Sequence, residues 1–444
     1  MTSAITSGRA TGQNPPIRRL APSELHGIER VAARWVIPVD QPPIEDGVVE
    51  IADGRIVEVR RRAGAPDNAT LDLGHAALLP ALVNAHAHLE FSDLAEPIQP
   101  ATPFTQWIRN LLAYRREREQ PISKLVRDGL REAARSGTGL VGEIAAGDWQ
   151  PAEIAAAVQA SDFDGSPPAV VAFRELIGLL PEQAADQLAL AQRHIDECRK
   201  LLNADKTSDE ATPGGGPTAG GGLTVRPALS PHAPYSVGLD LYHQLVDLAR
   251  RESVPLCIHL AETPAELELL DRGTGEFVEM LSAFGIWQPG LIPRGSRPMD
   301  YLEPLATLDH ALIGHGNYLS DDEIAWLGRH PNVATVFCPR THAHFAHSEH
   351  PWQKLLAAGA TVSLGTDGRS SNPDYSLWSE AEFLIRQNAF SDQPCLLNLV
   401  TLAGAGALGG DAECGSLTQG KSASFNVFEL TIPRALVILR GLCG

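Results

Sequence analysis

Leu78-Leu-Pro-Ala-Leu-Val-Asn-Ala-His-Ala-His-Leu-Glu90 decides how the rest of the chain is read. An apolar run of strand length ends in two histidines spaced i, i+2. Successive side chains of a strand point to opposite faces, so residues two apart share one. His86 and His88 are therefore expected side by side at the end of a buried strand. Taken alone, His-x-His fits two exposed or hydrogen-bonded histidines as well as a metal site. The question is how the later strands end.

Strand-like runs recur at 77–83, 140–144, 169–174, 223–229, 255–259, 311–314, 332–337 and 361–365. Helical patterns lie between most of them, at 121–135, 181–202, 239–252, 263–283, 321–330 and 374–391. Eight short β-type runs separated by helices predict an α/β chain of parallel βαβ units, closed into a (β/α)8 TIM barrel. A doubly wound open sheet is the alternative. No G-x-G-x-x-G follows a strand to support its dinucleotide-binding form.

Outside this region the pattern changes. Val31–Val39, Val48–Ile51 and Arg55–Val59 are short β-rich runs, with Asp53-Gly54 as a hairpin turn. Gly415–Lys421 and Ser424–Glu429 again read as turn plus strand. These segments predict a small β-sandwich satellite, residues 28–76 plus 408–444, beside a catalytic barrel over 77–407. Residues 1–27 are expected to be a disordered extension on composition. The Gly-rich stretch 203–222 is expected to be a flexible insertion and is given no function.

Composition narrows the class. With 43% hydrophobic and 20% charged residues the chain has the makeup of a globular protein with a sizeable core. A net charge of −18 argues against nucleic acid or an anionic membrane as partner. Six scattered cysteines without a C-x-x-C pair read as reduced thiols. No apolar leader and no run of membrane-spanning length is present, so a cytoplasmic location is expected.

The catalytic face of such a barrel is the C-terminal end of its strands. His86 and His88 end strand one; His232 follows strand four in Ser230-Pro-His-Ala-Pro-Tyr-Ser236. His259 ends strand five with Glu262 three residues later, His315 ends strand six, and Asp367 ends strand eight. Singly, each has a plain reading as a loop or turn residue. Five of eight strands ending this way do not. Imidazoles plus one carboxylate suit Zn2+ or Fe2+ and leave an open position for water. A metal there would bring the pKa of its water toward ~7, with Glu262 as proton shuttle and His315 beside the hydroxide.

The set Asn84–Ser92, Ser230–Ser236, His259-Leu-Ala-Glu-Thr263, Gly314-His-Gly316, Leu364-Gly-Thr-Asp367 and Gly415–Lys421 resembles the amidohydrolase superfamily. It is similar in particular to the cytosine/adenosine-deaminase and chlorohydrolase branch. The resemblance covers about Arg30 to Leu430. It implies His86, His88, His259 and Asp367 as metal ligands, Glu262 and His315 in catalysis, with Asp367 taking part, and His232 on the substrate. Strand four offers no lysine to bridge a second metal, so one divalent ion, zinc or iron, is expected.

Adding Phe173–Gly178 and Cys338-Pro-Arg-Thr341 makes the set similar to the aminodeoxyfutalosine deaminases of the futalosine route to menaquinone. That resemblance implies hydrolytic loss of the amino group of an adenine-type nucleoside by attack of metal-bound hydroxide. Arg340 then reads either as a bidentate partner of a substrate carboxylate or as a structural ion pair. Glu143 and Glu175 are candidate substrate contacts. Two departures fall where substrate is held: Asp367 is followed by Gly368-Arg369, and Arg340 by Thr341-His-Ala-His344. The run His342, His344, His347, His350 reads as a polar active-site loop or an extra metal site. Guanine, cytosine and triazine hydrolases are the alternative within the branch. Some relatives are metal-free interaction proteins that have lost their ligands, which this chain keeps. The expected partner is a small heterocyclic or nucleoside substrate, and the branch implies a homodimer.

Overall fold

The computed structural model describes residues 17–64, 68–161, 163, 166–210, 223–387 and 396–430, without the side chains of 205–210. The first six strands are β1 (Ile17–Leu20), β2 (Arg30–Val36), β3 (Ile44–Ala52), β4 (Arg55–Arg61), β5 (Thr70–Asp72) and β6 (Ala76–Pro80). Then come β7 (Leu82–His88), β8 (Thr138–Ala145), β9 (Ala169–Leu176), β10 (Val225–Pro231) and β11 (Leu256–Leu260). β12 (Ala311–His315), β13 (Val333–Phe337), β14 (Val362–Leu364), β15 (Asp367–Gly368) and β16 (Phe425–Glu429) complete the set.

β7 to β15 form one parallel sheet in the order β14-β13-β12-β11-β10-β9-β8-β7-β15. β14 and β15 are two halves of one chain run, separated by Gly365-Thr366. One half pairs with β13 and the other with β7, so the eighth strand closes the sheet on itself. The expected TIM barrel is the fold. Its strands are buried along their whole length, as all seven residues of β7 show, because helices cover the outer face. The remaining strands make a second, seven-stranded sheet in the order β1-β16-β6-β2-β3-β4, with β5 paired to β2.

Several expectations are corrected here. The single strand 77–83 is two: β6 belongs to the second sheet and β7 to the barrel. Pro80, with no N–H to give a ladder, ends the first, and the histidines lie within β7. Residues 17–27 are ordered: β1 pairs antiparallel with β16, and Pro22–Leu25 is a short 3-10 turn. Its partner lies some four hundred residues away, a distance that local composition cannot register. The helix Ala184–Glu210 runs through the first part of the stretch read as flexible. The helix expected over 263–283 breaks into Pro264–Arg272 and Glu276–Ala283 at Gly273 and Gly275, both at positive φ. Residues 1–16, 211–222 and 431–444, which carry the rest of those readings, lie outside the described residues.

Cys198, Cys257, Cys338 and Cys414 are free thiols, as expected; Cys395 and Cys443 lie outside the described residues. Among the described residues no helix is long and apolar enough to cross a membrane.

β7 is seated on β8 by a close backbone approach. A Cβ on Gly142 would run into the Ala85 carbonyl oxygen and lie 2.9 Å from Leu408 Cδ2. Gly142→Ala is therefore expected to cost about 1–3 kcal/mol through overpacking. In urea the unfolding midpoint should fall with an unchanged m-value. A variant as stable as the parent would show that β7 and β8 can part freely.

Candidate active site

The barrel brings the predicted residues together at one end. The ligand-capable atoms of His86, His88 and His259 all lie within 4.8 Å of one another, as do those of His86, His315 and Asp367. Asp367 Oδ1 is 3.7 Å from His86 Nε2 and 3.5 Å from His88 Nε2. The His88 and His259 Nε2 atoms face each other at 3.4 Å. Glu262 Oε1 sits 3.4 Å from His315 Nε2. All of these side chains are buried, whereas His232 keeps 21% of its side chain exposed at the rim.

Strain marks the same place. Ala261 (φ 53), His315 (φ 70) and Asp367 (φ 58) are left-handed residues without the excuse of being glycine. Such a conformation costs on the order of 1–3 kcal/mol and persists only where surroundings enforce it. Ala261 follows β11, His315 ends β12 and Asp367 opens β15.

Hydrogen bonds fix how each group is presented. The Asn84 amide donates to Thr366 Oγ1 at 2.8 Å, and the Thr366 N–H donates back to Asn84 Oδ1 at 3.1 Å. This latch joins β7 to the closing strand. Ser371 Oγ donates to Asp367 Oδ2 at 2.6 Å, leaving Oδ1 for the histidines. Tyr375 OH donates to the His88 carbonyl at 2.7 Å. Glu266 accepts from the N–H groups of Ala261 (2.8 Å) and Glu262 (3.0 Å), and Asn317 donates to the Glu262 carbonyl at 3.0 Å. Of these supports Asn84 and Thr366 lie inside the sequence motifs that carry the family resemblance. The others become visible only once the loops are folded over the strand ends.

Burial governs the electrostatics. Desolvation holds His86, His88, His232 and His315 well below the usual imidazole range, with neighbouring histidines adding to the effect. It pushes Glu262 well above the carboxylate range, helped by the charge of Asp367, and raises Asp367 itself. The rings are neutral, with lone pairs to offer. The His259 Nδ1 lies 2.9 Å from the His232 carbonyl, which leaves its Nε2 facing His88 in the cluster. Among the described residues, both ring nitrogens of His86 and the Nδ1 of His88 have no hydrogen-bond partner. Buried polar atoms are rarely left so. Converging, unsatisfied imidazole nitrogens beside one carboxylate fit a divalent metal.

On the substrate side, His232 takes a hydrogen bond with Ser236 through Nδ1 (2.7 Å), and its Nε2 lies 3.9 Å from Glu175 Oε1. That Glu175 oxygen is buried without a partner, as is Glu143 Oε1, whose other oxygen accepts from Leu89 N at 3.0 Å. Arg115 lies 3.6 Å from Glu175 and donates to Glu90 at 2.6 Å, with Arg118 on the other Glu90 oxygen. This pair of arginines was not singled out in the sequence. Nothing in a polar helix end announces that it reaches a strand end.

Arg340 takes the structural of its two readings. It donates through Nε to Glu380 at 2.6 Å and through both terminal nitrogens to Asp374 at 2.7 and 2.9 Å. Its fork is filled by the protein's own carboxylates. The histidine run adds no extra metal site: none of His342, His344, His347 and His350 joins a metal-capable group among the described residues. A cavity of about 640 Å3 near the N-terminal ends of β9 to β12, bordered by Arg226, Pro255 and His310, contains none of the site residues. Chemistry, not room, marks the site.

Residues 77–441 match the amidohydrolase family. The chain is 29% identical over 371 residues to the aminodeoxyfutalosine deaminase of Deinococcus radiodurans, covering 78% of this chain and 79% of that one. It is 28% identical over 415 residues to a 5-methylthioadenosine/S-adenosylhomocysteine deaminase of Moorella thermoacetica, covering 90% and 85%. The structure of an adenosine deaminase from Xanthomonas campestris with bound zinc shares the fold, with a TM-score of 0.69 at 23% identity over 93% of this chain and 88% of that one. The family match spans most of the chain and includes every histidine and carboxylate of the cluster, and the protein belongs to the amidohydrolase family.

Proposed function

We propose that the chain is a mononuclear metal-dependent aminohydrolase that deaminates an adenine-type nucleoside, with aminodeoxyfutalosine as the substrate to test first. The observation that carries the reaction class is the convergence of His86, His88, His259 and Asp367, with Glu262 held against His315 beside them. The adenine ring is supported by the deaminases named above, whose substrates are adenine nucleosides.

In this reading those four residues hold one divalent ion, zinc or iron. When bound, the ion supplies Lewis acidity, lowering the pKa of water toward ~7. Glu262 takes one proton from the attacking water and delivers it to the ring nitrogen. It then carries the water's second proton, from the hydroxyl of the adduct, to the amino group, so that the C–N bond breaks with ammonia as the leaving group and a ring carbonyl remains. Burial suits it to this, because a raised pKa lets the carboxyl hold the proton between steps. His315, neutral and 3.4 Å from Glu262, orients the water by a hydrogen bond. His232 is fixed by Ser236 with Nε2 toward Glu175, so the two present an acceptor and a polar ring edge to the ligand. The unpartnered oxygens of Glu175 and Glu143 accept from N–H or O–H groups of the nucleoside.

Three measurements test this. His259→Ala should lose the metal and all turnover, whereas Glu262→Gln should keep the metal and lose kcat by about 10²–10⁴-fold. Metal analysis of both variants separates the roles, and loss of metal in Glu262→Gln would overturn the division. An ultraviolet scan of the zinc-loaded protein should show adenine-to-hypoxanthine conversion with aminodeoxyfutalosine, methylthioadenosine, S-adenosylhomocysteine or adenosine. Turnover confined to the first supports the narrow substrate; silence on all four moves the reading to a guanine, cytosine or triazine ring. Arg340→Met should lower stability by about 3 kcal/mol, as removal of one partner of a buried ion pair does. Its KM for carboxylated substrates should change no more than for adenosine. A selective KM rise would return Arg340 to the substrate.

A further inference from the structure

His315 ends β12 at φ +70, a backbone region that residues with a Cβ rarely adopt. That turn puts its ring in the cluster, 5.5 Å from the His86 ring and stacked at 5.4 Å on His259. The carbonyl of this left-handed residue is met by a side chain. It is that of His350, the last member of the histidine run.

The His350 Nε2 lies 2.8 Å from the His315 carbonyl oxygen. Its Nδ1 accepts the Trp352 N–H at 2.9 Å. A nitrogen that accepts from an amide is unprotonated, so Nε2 carries the proton and donates. The backbone thus sets the tautomer. The ring is buried and stacks on Phe337 with centroids 3.9 Å apart. Burial pushes its pKa down to about 3, in keeping with a neutral ring. Both nitrogens are used within the protein, which leaves His350 nothing to offer a metal or a substrate.

We propose that His350 is a positioning residue: its Nε2–H pins the His315 carbonyl and so holds the His315 imidazole against Glu262. The inference rests on the role given to His315 above. Histidine suits the place because one rigid ring accepts at one edge, donates at the other and still stacks on an aromatic face. Its position thirty-five residues beyond His315 puts it in a different loop, the one that follows β13.

The test compares His350→Phe, which keeps the stack and loses both hydrogen bonds, with His350→Gln, which keeps an acceptor and a donor. In zinc-loaded protein, His350→Phe should lower kcat by about 10²-fold, the scale expected when a reacting group is misplaced by about an ångström. KM and metal content should stay at parent values, and His350→Gln should recover most of kcat. A residue that served stability alone would lower the melting temperature without this split. Independently of activity, nitrogen-15 spectra of histidine-labelled parent protein should show His350 as the Nε2–H tautomer. His350→Phe with parent kcat, or an Nδ1–H tautomer, would overturn the proposal. If His315→Asn also retains parent kcat, the role of His315 fails instead; if His315→Asn is inactive while His350→Phe is not, only the present inference fails.

Discussion

The structure turns on the burial of several imidazoles and two carboxylates in one dry place. Each group would be better hydrated elsewhere: burial pushes the histidines downward and the carboxyls upward, with like neighbours adding to the shift on His86 and on Glu262. Such a cluster is costly to bury unless the segments that carry it are tethered. The tethers are what the rest of the barrel mouth consists of. Asn84 and Thr366 clasp the first strand to the last, Ser371 takes one oxygen of Asp367, and Glu266 gathers two amides of the strained loop after β11.

The strain at Ala261, His315 and Asp367 belongs to the same economy of geometry. A strand alternates its side chains, so two consecutive functional groups cannot both face the mouth from regular β structure. Leaving the β region for a single residue is one way to aim a side chain inward at the rim. The cost falls on the folded state, in which close backbone approaches at Gly142 and Gly365 seat β8 and the closing strand on β7.

Much of this was legible in the sequence, and for a physical reason. Barrel strands buried on both faces read as apolar runs, and their ends fall where His86, His88, His259, His315 and Asp367 interrupt the apolar pattern. Local pattern was enough there. It failed where the deciding partner is remote. Pro80 breaks one apolar run into strands of two different sheets, because β6 finds β16 and β7 finds β8. Ile17–Leu20 reads as an unstructured tail until Phe425–Phe428 lies beside it. Arg340 read equally well as a ligand for an external carboxylate or an internal one, and only the placement of Asp374 and Glu380 decides between them. His350 looked like one of a series, yet its meaning comes from a carbonyl in another loop.

The second sheet carries a temporal consequence. Val427 in β16 pairs on one side with Arg18 in β1 and on the other with Leu78 in β6. The two outer strands are therefore made first, and the strand between them comes after the entire barrel. At the usual ~5–20 residues per second of synthesis, that interval is on the order of tens of seconds. Throughout it β6, whose five residues are all buried in the finished molecule, has one ladder edge open. An unpaired apolar edge is a template for other chains. The ribosome-bound chain thus passes through a stage in which the strand that will cover this edge has yet to be made.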